Sequence, residues 1–322
     1  IQKRFPHYII TVLEKENTIG AHQSSNNSGV LHCGLPYKYN SLKARLSIDG
    51  IKQMVSFCIE NKIDHDICGK IVVSTNKFED NHIESVAANG KKNGLLGLKF
   101  LNQTDLKKRE PNIRANKALL VPEEGIVNFK QVVNTLSNKI LDNGGFISLN
   151  NKVSGCVTDK GKHIILTTKG EFECDLVINC SGLFSDRIYK KLLKKSPPFK
   201  IIPFRGEYYR FKNEYKNFIN HLVYPVANPK FPFLGLHFTR MIDGKLTVGP
   251  NAVLAFKREG YKLADFSLYD FFDSVFYKGL YTFILKNKRF SIEQLSSSLF
   301  KLIFIKNIKK MTPDLKIDML EK

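Results

Sequence analysis

Residues 8–13, YIITVL, are a β-branched apolar run that stops at Glu14 and a polar loop. The pattern predicts a buried parallel strand with an acid at its carboxyl end. Residues 24–34, SSNNSGVLHCG, are a polar, glycine-containing loop that carries His32. Ser41 can cap a helix over 42–61, with Leu42, Leu46, Met54, Phe57 and Cys58 among its apolar positions. GKIVVS at 69–74 predicts a strand, and a helix follows near 79–91. A helical pattern opens at Asn128 with Val132, Val133, Leu136, Ile140 and Leu141 on one face. Gly144-Gly145 ends it before a strand at 146–149. Two strands, 153–158 and 163–168, join through a turn at 159–162, and DLVIN at 175–179 predicts another buried strand. The texture then changes: 201–211 and 234–249 look antiparallel, with Asp243-Gly244 as a hairpin turn. From 265 onward the pattern is helical, with Phe271, Phe272, Val275 and Phe276 clustered. The sum is an α/β fold, a parallel nucleotide-binding layer with an antiparallel substrate layer inserted.

Composition changes this picture little. A chain of 322 residues can bury one large core or two interleaved ones. The formal net charge of +20 comes from basic residues scattered in short runs rather than gathered in a patch, so no nucleic-acid partner is expected. The six cysteines form no Cys-x-x-Cys pair and no zinc-finger spacing with histidine, which predicts a reduced compartment and no metal. No apolar run reaches the ~18 residues of a membrane span. Residues 299–305 are apolar and flanked by lysines, which leaves peripheral membrane contact open.

Polar groups concentrate in the stretch 231–261, FPFLGLHFTRMIDGKLTVGPNAVLAFKREGY, which holds His237, Arg240, Asn251, Lys257 and Arg258 at strand-like spacing. A sheet lining a pocket for an anion needs such groups; a plain core strand does not. His237 alternates with Phe238, and both faces there are partly apolar, so His237 needs either a core hydrogen bond or a ligand. Arg205, between Phe204 and Gly206, must find an anion or an internal partner such as Glu207 or Glu259. Lys257 and Arg258 read equally as a solvated charge run. His32, among glycines and serines, suits proton transfer. Glu14 suits a ribose, or is a solvated loop carboxylate. Cys180-Ser181-Gly182 allows close backbone approach to a cofactor, or caps a helix. Val153 opens a strand and is otherwise an ordinary core valine.

These pieces, in this order, resemble the FAD-dependent L-2-hydroxyglutarate dehydrogenases of the D-amino-acid-oxidase-like flavoprotein group. The matching segments are VLEKE (12–16), HQ-x-x-x-NSGV-x-H-x-G (22–34), SLKA (41–44), CGK (68–70), EP (110–111) and P-x-x-GIV (122–127). Further along they are SGLFSDRI (181–188), PFRGEYY (203–209), YPV (224–226) and the stretch 231–261. The resemblance implies FAD bound through Glu14, Asn27, Ser28, Gly29, Val153, Ser181 and Gly182. It implies a dicarboxylate held by Arg205, Tyr208, Asn251, Lys257 and Arg258, with His32 or His237 as base and His32 the preferred one. The reaction implied is oxidation of L-2-hydroxyglutarate to 2-oxoglutarate, with electrons passed to a quinone or a carrier protein. The rivals are another FAD enzyme of the group, acting on an amino acid or glycerol 3-phosphate, and an inactive remnant.

The implied architecture is a Rossmann-like FAD-binding portion at 1–75 and 125–195 and an inserted antiparallel-sheet substrate portion at 76–124 and 196–264. A helical part follows at 265–322. Only 13 residues precede Glu14, whereas a glycine-rich phosphate loop belongs about 20 residues upstream of such an acid. The family's Gly-x-Arg-Ala-Gln segment near the carboxyl end does not appear either, so the chain is expected to be a fragment of a longer protein. Ser25, Pro36 and Asn128 depart from the usual glycine, isoleucine-tyrosine context and aspartate. The placement implied is mitochondrial, in the matrix or against the inner membrane, for a eukaryotic source, and cytoplasmic and membrane-peripheral otherwise.

Overall fold

The computed structural model describes residues 1–159, 161–227 and 235–321. The first four residues of the stretch 231–261, including the expected strand start at Leu234, lie outside the described residues. So does Lys160 of the expected turn at 159–162. The chain divides into two compact units. One comprises residues 1–27, 129–203 and 254–277; the other comprises 28–128, 204–253 and 278–322. Residues 28–75, expected with the nucleotide-binding portion, thus pack within the second unit.

In the first unit Thr11–Leu13 pairs in parallel with Phe146–Ser148, Val12 opposite Ile147. The helix Phe129–Asp142 ends at the two glycines: Gly144 adopts φ +75°, and the Gly145 N–H donates to the Ile140 carbonyl at 2.9 Å. Val153–Asp159, Lys162–Thr167 and Gly170–Cys174 form an antiparallel sheet. Its third strand, GEFEC, is too polar to show in the hydrophobic pattern. The strand expected at 175–179 is not formed. Leu176 and Ile178 are 68% and 56% exposed. An apolar run becomes a strand only where a neighbour pairs its backbone, and none does so here among the described residues.

The second unit is built on a mixed eight-stranded sheet. Its order is Leu320–Glu321, Phe204–Phe211, Leu246–Leu254, His237–Arg240, Leu222–Pro225, Lys70–Ser74, Lys117–Val121, Lys99–Leu101. Lys70–Ser74 runs parallel to Leu222–Pro225 and antiparallel to Lys117–Val121. It is a central strand, and all five of its residues are buried. Ile71 and Val73 face a core shared with Tyr209, Phe211, Phe238, Val248, Phe304 and Leu315, while Val72 faces Ile83, Val86 and Leu119. A strand covered on both faces reads as a continuous apolar run, which is why the sequence pattern locates it. The helix Leu42–Glu60 starts where expected, with Ser41 Oγ accepting the Ala44 N–H at 3.2 Å. Leu42 and Leu46, however, face outward at 70% and 67% exposure.

The hairpin His237–Arg240 with Leu246–Leu254 is antiparallel, and His237, Phe238 and Thr239 are all buried, as its two half-apolar faces indicate. Gly249 sits at φ +153°, and a Cβ there would stand 2.7 Å from the Glu207 carbonyl oxygen and 2.9 Å from Tyr208 Cδ1. Gly249→Ala is expected to cost about 1–3 kcal/mol of stability, read as a lower midpoint in denaturant unfolding.

Candidate active site

The sheet of the second unit opens into a cavity of about 400 Å³ whose wall includes Ser28, His32, Arg205, Tyr208, Tyr224, His237 and Asn251. Arg205 and Tyr208 come from the strand Phe204–Phe211, Asn251 from Leu246–Leu254, Tyr224 from Leu222–Pro225, and His237 from the hairpin. Ser28 and His32 flank the short strand Val30–Leu31. Both candidate bases and three of the five expected substrate residues therefore share one cavity.

The two histidines differ in environment. His237 Nδ1 lies 2.9 Å from the Gly235 carbonyl, which can only accept, so that nitrogen carries the hydrogen. Its ring stacks on Tyr224 at 3.9 Å between centroids. Burial pushes its pKa down to about 3, with His32 and Lys70 adding to the effect, so His237 stays neutral and is a weak base. His32 keeps 37% of its side chain exposed, and its Nδ1 lies 3.3 Å from Glu124 Oε2. Glu124 is wholly buried and also accepts from Lys70 Nζ at 2.6 Å. Burial alone would raise the Glu124 pKa, but Lys70 and His32 outweigh it and hold the carboxyl at about 2, ionised.

Lys70, Glu124 and Tyr224 are groups the sequence reading left without a role, although CGK, P-x-x-GIV and YPV contain them. Lys70 Nζ lies 5.1 Å from the centroid of the Tyr224 ring. A charge at the head of an apolar strand is the only local signal of Lys70, and nothing local gives its partner 54 residues away.

On the substrate side, Arg205 pairs with Glu207 at 2.9 Å, and Glu207 also accepts from Ser298 Oγ at 2.5 Å. Tyr208 is pushed up to about 12 by burial, which keeps its hydroxyl protonated. Asn251 is 1% exposed and its Oδ1 has no hydrogen-bond partner among the described residues, an uncompensated polar atom beside a cavity.

Lys257 and Arg258 lie in the first unit, and the expected substrate role of Arg258 needs correcting. Its side chain is 1% exposed. It bonds both oxygens of Asp186, Asp273 Oδ2 at 3.1 Å and the Leu183 carbonyl at 2.5 Å. Those carboxylates consume the guanidinium's donors, so it ties its own unit together. Lys257 is exposed. Arg258→Met is expected to lower stability by about 3–5 kcal/mol, because it strands carboxylates that are now paired; calorimetry measures the loss.

The expected cofactor residues divide between the units. Glu14, Asn27, Val153, Ser181 and Gly182 lie in the first, and Ser28 and Gly29 in the second. Glu14 follows the parallel strand, and its Oε1 accepts the Glu16 N–H at 2.9 Å. Asn27 Nδ2 holds its own loop by donating to the Gln23 and Ser24 carbonyls at 3.0 and 2.9 Å. Val153 gives its carbonyl to Lys191 Nζ at 3.4 Å. Ser181 Oγ donates to Asn179 Oδ1 at 2.5 Å, and Gly182 adopts φ +53°. Gly29, at φ +71°, has the Val127 carbonyl 3.3 Å from where a Cβ would be.

Among the described residues one trio, Glu16, His22 and Glu259, has metal-ligand atoms within 4.8 Å of one another. The ammonium of Lys15 already bonds Glu16, lies 2.5 Å from Glu259 Oε2 and 3.1 Å from His22 Nε2. It supplies the positive charge the trio needs, and with His22 it holds Glu16 at about 2.

Residues 2–277 match the family described as FAD dependent oxidoreductase. The chain belongs to the FAD-dependent oxidoreductase family. It is similar to the L-2-hydroxyglutarate dehydrogenase of Indibacter alkaliphilus, 41% identical over 98% of this chain and 79% of that protein. The corresponding figures are 40%, 98% and 75% for the Escherichia coli K12 enzyme of the same name. They are 36%, 98% and 70% for the human mitochondrial one. In fold it resembles FAD-bound L-alpha-glycerophosphate oxidase of Mycoplasma pneumoniae, with a TM-score of 0.78 at 19% identity over 99% of this chain and 77% of that one. Glycine oxidase of Geobacillus kaustophilus gives 0.67 at 18% identity over 78% and 67%.

The residues present fit FAD. An acid at the end of a parallel strand offers acceptors for ribose hydroxyls. Gly182, at φ +53° and with Gln23 Oε1 3.1 Å from where a Cβ would stand, leaves its backbone uncovered by a side chain, as a close cofactor approach would need. Among the described residues no helix is long and apolar enough to cross a membrane.

Proposed function

We propose that the cavity around His32 oxidises L-2-hydroxyglutarate to 2-oxoglutarate. The observation that carries this reading is the meeting in one cavity of His32, Arg205, Tyr208 and Asn251, in a chain 36–41% identical to dehydrogenases of that name. Bound FAD supplies the acceptor for the hydride that leaves C2. Glu124 is ionised and accepts from His32 Nδ1, so Nε2 is the nitrogen that takes the 2-hydroxyl proton. The Arg205 guanidinium in the wall attracts one carboxylate, and the Tyr208 hydroxyl and Asn251 amide complete its orientation. Glu14, Asn27, Ser28, Gly29, Val153, Ser181 and Gly182 hold the cofactor. The electrons pass on to a quinone or a carrier protein, with peripheral membrane contact, and a eukaryotic source places the chain in the mitochondrion, as for the bovine and human relatives.

The test is turnover by the FAD-loaded protein with an artificial dye as acceptor. L-2-hydroxyglutarate is offered beside its D enantiomer, glycerol 3-phosphate and glycine. L-2-hydroxyglutarate is expected to lead the others in kcat/KM by about 10³-fold or more. Preference for glycerol 3-phosphate or glycine overturns the substrate assignment, and absence of both flavin binding and turnover overturns the enzyme.

A further inference from the structure

We infer that Lys70 and Glu124 are a positioning pair for His32: Glu124 fixes the imidazole tautomer, and Lys70 cancels the carboxylate's charge so that His32 can be neutral when substrate arrives. The inference rests on His32 being the base.

Lys70 opens the strand Lys70–Ser74, and Glu124 directly precedes Gly125–Val127, so each is anchored by a strand. The carboxylate is divided. Oε1 takes Lys70 Nζ at 2.6 Å, the Cys33 N–H at 3.4 Å and the Cys33 thiol at 3.2 Å, and Oε2 is left to His32 at 3.3 Å. A buried carboxylate facing only an imidazole would hold it as imidazolium, and a protonated base cannot accept the substrate proton. With Lys70 in place the three groups sum to zero charge when His32 is neutral. Lys70 is 4% exposed and is not part of the cavity wall, so it acts on the reaction through Glu124 and through the Tyr224 ring, not through substrate.

The other groups facing His32 do not substitute for the pair. Tyr224 meets it edge-on at 6.2 Å and is kept protonated by burial. His237 is neutral, and the Cys33 thiol is pushed up by burial and by Glu124, so it also carries no charge. Arg205 shares the cavity wall but is paired with Glu207.

The experiment is the pH dependence of kcat/KM for L-2-hydroxyglutarate in the FAD-loaded protein and in three variants, with flavin absorbance and thermal unfolding as controls on folding. Lys70→Met removes a positive charge near the base, and the acidic limb is expected to move to higher pH by about one unit or more. Glu124→Gln removes the negative charge and the tautomer control. Its limb is expected to move to lower pH, and kcat to fall by about 10²-fold or more. The double variant Lys70→Met/Glu124→Gln buries no unpaired charge and serves where Lys70→Met does not fold; its limb is expected at higher pH than that of Glu124→Gln, back near the position in the unsubstituted protein. Limbs that stay in place in the single variants while activity falls, or a double variant whose limb does not move up from that of Glu124→Gln, overturn the pair's role and leave it a structural ion pair. A native-like rate in His32→Asn is a separate result that removes His32 as base, so the two failures are told apart.

Discussion

His32→Asn is expected to lower kcat for L-2-hydroxyglutarate by about 10²–10⁴-fold, the usual worth of a positioned general base, with flavin absorbance retained. The acidic limb of the pH–rate profile should disappear with it, because the group whose deprotonation the limb reports is gone. His237→Asn is the comparison. His237 donates its one hydrogen to Gly235 and is driven to about 3 by burial, so it is a poor proton acceptor at neutral pH. Losing it disturbs packing against Tyr224 more than chemistry, and the smaller loss of kcat is expected there. Steady-state kinetics on the two variants side by side decides the assignment; a larger kcat loss in His237→Asn reverses it.

Arg205→Met is expected to raise KM for L-2-hydroxyglutarate by about 10–10²-fold, corresponding to about 1.5–3 kcal/mol for a charge-assisted bond to a carboxylate. Part of that loss comes indirectly. Glu207 would lose its guanidinium partner and keep the Ser298 hydroxyl, and its uncompensated charge beside the cavity would repel a dianion. The double variant Arg205→Met/Glu207→Gln removes both charges, so recovery relative to the single variant measures the repulsion. Arg205→Lys keeps the charge but loses the planar fork and should recover only part of the affinity. If KM and kcat are unchanged in Arg205→Met, the guanidinium serves Glu207 alone.

Much of the fold was legible where local chemistry decides it. Ser41 announces the helix Leu42–Glu60, and Gly144-Gly145 closes Phe129–Asp142. The run KIVVS marks a strand because both of its faces are covered. What the pattern misplaced depends on distant partners. DLVIN has strand composition but no paired neighbour among the described residues, and GEFEC is a strand because Lys162–Thr167 lies beside it. The site divides in the same way. Residue type and resemblance single out His32, His237, Arg205, Tyr208 and Asn251, and the fold gathers these five around one cavity. Arg258 was misread because its partner Asp186 lies 72 residues away, and Glu124 was passed over because a single glutamate says nothing of the lysine and histidine it joins.

The chain changes units after residues 27, 128, 203, 253 and 277, and the second unit ends with its last segment. Phe304 packs on Tyr209 at 4.7 Å, the Met311 carbonyl accepts from the Arg114 N–H at 2.8 Å, and the Met319 carbonyl accepts from the Lys212 N–H at 2.9 Å. Neither unit can therefore be completed from its first segment alone. The first waits for residue 277 and the second for the final helices, while strands such as Lys70–Ser74 emerge early and stay uncovered. Loops of this length are slow to close and leave apolar edges open to aggregation. The yield of native protein in a cell should thus depend on chaperones that hold the early segments until the later ones have been made.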